Sequence, residues 1–305
     1  MIPIFPKFTK LRLEHFQEIQ KISSKFAPYS DFNFTCLWSY YINNNIKISL
    51  LNGNLVVNSF DYLNGKPFYS FFGAKFLEDT CNKLFEIATK NKIDSELKLI
   101  PEIFVDQIKK SKNNFNFEED RDNFDYVYLL KKISTLPGNK YRSKRQLFKK
   151  FCAKYPHHKI KYLDIKKKEN ADQILSLFLK WEKVKNKNRK DTNDELQALK
   201  KLLKEAHFIN LLTLGIYIDD ELSAFSINEK IDKNYALAHF GKSDHTHQGL
   251  NESLYKFTAD FLIKEGCKFW NIECDLGIEN LRNSKMSWRP EYFLKKYTIT
   301  KAKQI

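Results

Sequence analysis

The pattern of apolar and polar positions predicts an alternation of helices and short strands. Leu13 to Lys25 carries Phe16, Ile19 and Ile22 at three- and four-residue spacing, the mark of an amphipathic helix. A polar-aromatic loop follows, Tyr29-Ser30-Asp31-Phe32-Asn33-Phe34. Ile46 to Leu51 and Leu55 to Phe60 flank Asn52-Gly53-Asn54, a strong hairpin signal. Pro67 to Gly73 reads as a strand, Leu77 to Lys90 as an amphipathic helix and Leu97 to Ile100 as a short strand. Pro101 opens a helix that runs to Lys110, and Phe115 to Phe117 and Tyr126 to Leu130 read as closing strands.

The second half repeats this order. Asn170 to Lys185 and Asp194 to Ala206 are predicted helices. Leu211 to Ile218 and Leu222 to Glu229 form a hairpin around Asp219-Asp220-Glu221, and Tyr235 to Gly241 is a strand. Gly249 to Lys264 is a helix stopped by Gly266. Phe269 to Glu273, Ile278 to Ser284 and Phe293 to Thr300 follow as strand, helix and strand. Gly73 and Gly249 lie 176 residues apart, Leu97 and Phe269 172, Glu102 and Ile278 176. A near-constant offset points to duplication of one α/β unit. In each half the order is helix, hairpin, strand, helix, strand, helix, strand, which is the order of the GNAT acyltransferase fold. The expected fold class is therefore α/β with mixed sheets, as two tandem GNAT-like domains. Lys131 to Gly138, ending in Pro-Gly, reads as the linker, which gives domains 1–132 and 133–305.

Length and composition agree with two cores. At 305 residues and 42% apolar content each half can bury its own interior. No stretch reaches the ~20 apolar residues of a membrane span, and Met1 to Pro6 is too short for a signal peptide. The five cysteines are scattered without a CxxC pair, so neither a zinc site nor a disulfide framework is expected, and a reducing cytoplasm fits. The net charge of +15 suits an anionic partner, yet the richness in Lys, Asn, Ile, Phe and Tyr is also what AT-rich coding produces.

Local clusters say more than the total. Lys140 to Lys168 holds Arg142, Lys144, Arg145, Lys149, Lys150 and Lys154 among interleaved aromatics, with Asp164 as its only acid. A helix from Ser143 to Lys154 turns Leu147, Phe148 and Phe151 inward and the cations outward, as either a phosphate grip or a solvated face. Lys180 to Lys190, with Lys183, Lys185, Lys187 and Arg189, reads as a mobile basic loop. Asp120-Arg121-Asp122-Asn123-Phe124-Asp125-Tyr126 lines a polar cleft or forms a turn held by its own side chains. Before the helix at Gly249 lies His245-Thr246-His247-Gln248, a place where GNAT enzymes hold the pyrophosphate of coenzyme A on a glycine-rich loop. Only Gly249 keeps that pattern; Thr246 and Asn251 depart from it, and His245 and His247 lack metal-ligand spacing. Trp270 to Gly277 ends a strand in Glu273, Cys274 and Asp275, followed by Arg282 and Lys285. Asp275 is either a general base or the cap of the next helix, with Glu273 and Glu229 as further acids; Arg282 and Lys285 suit a phosphate or an oxyanion. Cys274 reads as packing.

Together these segments resemble the family related to the C-terminal domain of phosphatidylglycerol lysyltransferase. The matching stretches are Tyr29 to Phe34 with Leu37-Trp38, Tyr69 to Gly73, Asp120 to Tyr128, Gly138 to Arg145, and Asp275 to Arg282 with Lys285 and Tyr297. The resemblance implies a tandem GNAT fold and acyl or aminoacyl transfer. Aminoacyl-tRNA or a coenzyme A thioester would be the donor co-substrate, and a small molecule, a lipid headgroup or a peptide amine the acceptor. The residues expected on the donor phosphates are Arg142, Lys144, Arg145, Gly249, Arg282 and Lys285, and those expected along the cleft are Asp31, Asn33, Arg121, Asp125 and Tyr297. The competing readings are a non-catalytic nucleic-acid-binding or scaffold protein on a degenerate GNAT fold, and a membrane-surface protein held by its basic face.

Overall fold

The computed structural model describes residues 1–40, 46–61, 64–111, 114–184, 190–205 and 209–302. The predicted basic-loop residues Lys185, Lys187 and Arg189 lie outside them, as does Ala206. The first ten elements are β1 (Thr9–Lys10), α1 (Phe16–Ser23), α2 (Phe34–Ser39), β2 (Lys47–Leu51), β3 (Asn54–Phe60), β4 (Pro67–Phe72), α3 (Leu77–Lys90), β5 (Glu96–Pro101), α4 (Glu102–Ile108) and β6 (Phe115–Glu119). Then come β7 (Asp125–Leu129), α5 (Leu130–Thr135), α6 (Arg142–Lys154), β8 (Lys159–Tyr162), α7 (Lys168–Val184), α8 (Lys190–Glu205), β9 (Leu211–Ile218), β10 (Glu221–Lys230) and β11 (Tyr235–Ser243). The chain closes with α9 (Leu250–Lys264), β12 (Phe269–Asn271), α10 (Glu279–Ser287), β13 (Tyr292–Leu294) and β14 (Lys296–Lys301).

The elements build two mixed α/β sheets. The first runs β1-β2-β3-β4-β5-β14-β6 and the second β8-β9-β10-β11-β12-β7-β13. Read from the hairpin end the two orders correspond strand for strand, which fits a duplicated arrangement. In each sheet one central pair is parallel, β4 with β5 and β11 with β12. Each sheet then takes its sixth strand from the other half of the chain. β14 pairs antiparallel with both β5 and β6, and β7 pairs antiparallel with β12.

The compact units are accordingly discontinuous. One comprises Met1–Asp125, Cys274–Arg282 and Phe293–Ile305; the other comprises Tyr126–Glu273 and Asn283–Tyr292. This differs from a single cut after residue 132. Tyr126 to Leu130 and Phe293 to Thr300 have the alternation of strands, but alternation does not name a partner. The predicted linker also folds: Ile133 of α5 and Leu136 just after it are buried. The loop at Tyr29 to Phe34 runs into α2, whose first turn is capped by the Asn33 side chain accepting the Cys36 N–H. β8 went unpredicted because it is only four residues long, Lys-Ile-Lys-Tyr, and lies inside a lysine-rich run.

Local chemistry explains the parts that were legible. Both hairpins turn through two consecutive positive-φ residues, Asn52 and Gly53 in one and Asp219 and Asp220 in the other, as two-residue primed turns require. Aromatic packing fills both interiors. Phe32 stacks on Phe72 at 4.6 Å in the first unit. Tyr255 stacks on the fully buried Trp288 at 4.3 Å in the second.

Ile299 of β14 is fully buried. Ile299→Ala is expected to cost about 2–4 kcal/mol. Amide exchange should then accelerate in residues 96–101 and 115–119 and stay slow in 269–271. Acceleration confined to 269–271 would contradict the strand order.

Candidate active-site residues

In the first unit, the turn after residue 273 is organised by Asp275. Its Oδ1 accepts the Gly277 N–H at 2.9 Å, and its main-chain oxygen accepts the Ile278 N–H, so it caps the approach to α10. Gly277 has φ +70°, and a Cβ there would lie 2.7 Å from the Asp122 carboxylate, so this turn requires glycine. Arg282 then donates through Nε to Asp275 Oδ2 at 3.0 Å, and through Nη2 to Asp275 Oδ1 at 2.8 Å and Asp122 Oδ1 at 2.6 Å. Arg121 donates to Asp275 Oδ2 at 3.2 Å and lies over the rings of Phe124 and Phe293. Asp275 is wholly buried, whereas Arg121 and Arg282 keep 35% and 32% of their side chains exposed. Hydrogen bonds to Asp275 and Asp122 hold the Arg282 guanidinium above its ordinary pKa. Two guanidiniums and a capping N–H engage the Asp275 carboxylate, so in this arrangement it anchors the cations that reach solvent.

A second cluster in the same unit surrounds Lys296, which is completely buried in β14. Its Nζ donates to Asp125 Oδ1 at 2.7 Å, pairs with Asp31, and reaches Ser30 Oγ at 3.5 Å. Asp125 also accepts the Ser30 N–H and hydroxyl, both at 2.7 Å. Burial acts to lower the Lys296 pKa, but Asp125 and Asp31 more than reverse this and keep the ammonium charged. Burial, with Asp125 close by, pushes the Asp31 carboxyl up from 3.8 against the pull of Lys296. The cleft residues predicted from sequence therefore separate. Asp31 and Asp125 meet on Lys296, Arg121 joins Asp275, and Asn33 is a helix cap. Tyr297, next to Lys296 on the strand and so on its opposite face, donates to Glu119, and burial raises its hydroxyl to about 12. Lys296 itself was missed as a site residue; its signal was a lysine inside an apolar strand pattern.

In the second unit, Glu229 on β10 and His239 on β11 form a buried pair, with Glu229 Oε2 and His239 Nε2 3.0 Å apart. The β10–β11 register shifts between Ile227 and Asn228, immediately before Glu229, and bulges of this kind re-aim side chains. Asn228 accepts the Trp270 indole N–H at 3.0 Å and donates to Ser226 Oγ at 2.8 Å, so the sheet interior around the pair is polar and hydrogen-bonded. Sequence reasoning named Glu229 and missed His239, a lone histidine in a strand with nothing nearby to mark it. Glu273 sits at φ +61°; its carbonyl accepts the Tyr126 N–H at 3.2 Å. Lys285 is buried, donating to the carbonyls of Ile272 at 2.5 Å and Glu273 at 3.2 Å. In this structure the ammonium, expected on a phosphate, closes off a strand end.

The basic segment and the glycine loop belong to the same unit. Arg142, Lys149, Lys150 and Lys154 stand exposed on α6, as the outward face predicted. Lys144 instead pairs with Glu252 at 3.3 Å over the Trp288 ring, and Arg145 donates to the carbonyls of Leu136 and Gly138. Gly249 has φ +82°, and a Cβ there would lie 2.2 Å from the Leu147 carbonyl oxygen, so α6 packs directly on the start of α9. Upstream, Asp244 Oδ1 accepts the Thr246 N–H at 2.9 Å and its hydroxyl at 2.7 Å, and Asp244 also pairs with Lys180 at 3.0 Å. An internal carboxylate thus takes loop donors where a bound phosphate would be expected. His247 contacts the Tyr155 hydroxyl at 2.8 Å.

The sequence model of the family described as "Phosphatidylglycerol lysyltransferase, C-terminal" matches residues 69–300. The chain belongs to that family. Among solved structures, similarity of fold extends over nearly the whole chain. A conserved protein of unknown function from Bacteroides thetaiotaomicron superposes with a TM-score of 0.85 at 24% identity, covering 99% of this chain and 100% of that one. The C-terminal domain of a putative lysylphosphatidylglycerol synthetase from Agrobacterium fabrum gives 0.66 at 11% identity, covering 94% and 91%. L-PGS from Bacillus licheniformis gives 0.61 at 10%, covering 95% and 92%. At these identities the likeness shows the fold. No curated protein sequence matches the chain. Among the described residues of this family member, no helix is long and apolar enough to cross a membrane.

Two consequences for the glycine loop can be measured. Gly249→Ala combines a positive φ with a clash against backbone, so it should lose about 2 kcal/mol or more. Gly138→Ala, also at positive φ but in open space, should lose clearly less. Equal losses in denaturant titrations would contradict the α6–α9 packing. Burial opposes ionisation of Asp244, but Thr246 and Lys180 outweigh it and lower its pKa from 3.8 to about 2. The folded value is depressed, so the contribution is present above the unfolded value and fades as pH falls from 3.8 towards 2. The stability gap between wild type and Asp244→Asn should narrow across that window; a gap independent of pH would contradict the assignment.

Proposed function

We propose that this family member transfers an aminoacyl or acyl group to an amine or hydroxyl acceptor, with His239 as the base and Glu229 as its orienting partner. The buried Glu229–His239 pair beside the β10 bulge carries this reading. Glu229 Oε2 holds the His239 imidazole through Nε2. His239 takes a proton from the acceptor as its nitrogen or oxygen attacks the acyl carbonyl. The bond to the donor oxygen or sulfur breaks, and the proton passes to that leaving atom.

The donor favoured here is an ester carried by tRNA. Two observations weigh against a coenzyme A thioester. The Leu147 carbonyl abuts Gly249, and Asp244 engages the loop donors that precede α9. The exposed cations of α6 suit a polyanion instead. The acceptor stays at the level of an amine or hydroxyl compound, because the basic face would serve a lipid headgroup, a peptide or a small molecule equally.

His239→Ala should lower transfer from charged tRNA by about 10²–10⁴-fold. Glu229→Gln should lower it by less while tRNA affinity holds. Full activity in His239→Ala, or turnover with acyl-coenzyme A alone, would overturn the reading. Removing Arg142, Lys149 and Lys150 together should flatten the log–log salt dependence of tRNA binding by about 0.7–0.9 for each phosphate they neutralise.

A further inference from the structure

The second unit contains a cleft that the proposed transfer chemistry does not use. Its volume is about 350 Å³, and it is lined by Lys132, Pro137, Lys140, Tyr141, Arg289, Pro290 and Glu291. That is the lower end of the size range of small-molecule sites, and more than a lone phosphate ion fills. One wall is the stretch from Leu136 to Tyr141. There Leu136 and Gly138 both take positive φ, and Arg145 holds the stretch by donating to both of their carbonyls. The other wall follows α10. It is fixed by the buried Trp288, whose carbonyl accepts the Tyr141 hydroxyl at 3.0 Å.

Arg289 is the unusual residue in this cleft. It follows α10 with φ +58°, in the position after a helix where glycine is the rule. An arginine there bears a left-handed backbone cost that glycine would not. Its N–H still closes the helix on the Met286 carbonyl at 3.0 Å, so the capping geometry needs no side chain. Among the described residues, neither Arg289 nor Lys140 has a side-chain hydrogen bond or ion pair. Lys132 and Glu291 pair with each other at 2.5 Å. The lining therefore offers two uncommitted cations, one carboxylate able to accept further hydrogen bonds, and the rings of two prolines. Burial raises the Tyr141 hydroxyl, with the Arg289 charge opposing and the Glu291 charge assisting, as expected if both charges face that ring.

We infer that this cleft binds a nucleoside monophosphate, its phosphate on Lys140 and Arg289, its ring system against Pro137 and Pro290, and its hydroxyl or amino donors on Glu291. A phosphate alone leaves the apolar walls uncovered, and an uncharged nucleoside leaves both cations without a partner. The inference concerns residues separate from the Glu229–His239 pair and stands independently of the transfer reaction.

Calorimetric titration of the full chain with AMP, adenosine and inorganic phosphate tests it. AMP should bind more tightly than either fragment, with affinity falling as salt is raised. Arg289→Gly separates binding from folding. Relief of the left-handed backbone should hold or raise the melting temperature, while AMP affinity falls about tenfold or more as the charge-assisted hydrogen bonds disappear. Lys140→Ala should weaken AMP in the same sense and leave adenosine unchanged. AMP binding no tighter than adenosine, unchanged AMP affinity in Arg289→Gly, or binding of RNA without binding of AMP would each overturn the assignment.

Discussion

The first unit is organised around one buried cation. Lys296 has no access to water, and its charge is matched by Asp125 and Asp31. A buried ammonium is costly unless paired and hydrogen-bonded, and removal of one partner from such a group typically costs about 3–5 kcal/mol. The requirement fixes three remote pieces of chain at one point: the loop carrying Ser30 and Asp31, the residue that opens β7, and the strand β14. Hydrophobic burial would tolerate β14 at many registers. An ammonium that must meet two carboxylates tolerates one.

Much of this architecture was legible along the chain. The two hairpins, α3, α6 and α9 follow from turn residues and helical periodicity, and α3 spans Leu77–Lys90 as its apolar spacing indicates. What periodicity leaves open is partnership. Tyr126 to Leu129 alternates as a strand should, yet it lies in the sheet of the other half, and the predicted strand Phe293 to Thr300 is split between β13 in the second sheet and β14 in the first. The segment at residues 131–138 carries a Pro-Gly breaker, and its first part still forms α5, because Leu130 and Ile133 find apolar cover that sequence cannot display. The candidate site divides in the same way. Acids and bases crowded at Asp120 to Asp125 and Glu273 to Arg282 were visible as chemistry. Their roles were set by neighbours more than a hundred residues away, such as Arg121 on Asp275.

Charge without a neighbour misleads more often than charge with one. Asp275 is an acid at a strand end, but its oxygens are engaged by Arg121, Arg282 and Gly277. Lys285 is a cation on a helix after that strand, but it serves the carbonyls of residues 272 and 273. His239 stands in a strand of small and apolar residues and becomes notable only when Glu229 is found across the register shift. In a fold used for many reactions, such pairings discriminate better than the fold does.

The exchange of β7 and β14 also sets a timetable. β6 ends at Glu119, and the strand that must lie between β5 and β6 ends at Lys301. At ~5–20 residues per second, synthesis of the intervening stretch takes on the order of 10–40 s. Throughout that interval the first sheet has an open slot, and Asp31 and Asp125 wait for their cation. A nascent first half is therefore a client for whatever shields unpaired strand edges at the ribosome. It becomes self-sufficient only when a strand translated long afterwards arrives to fill the gap.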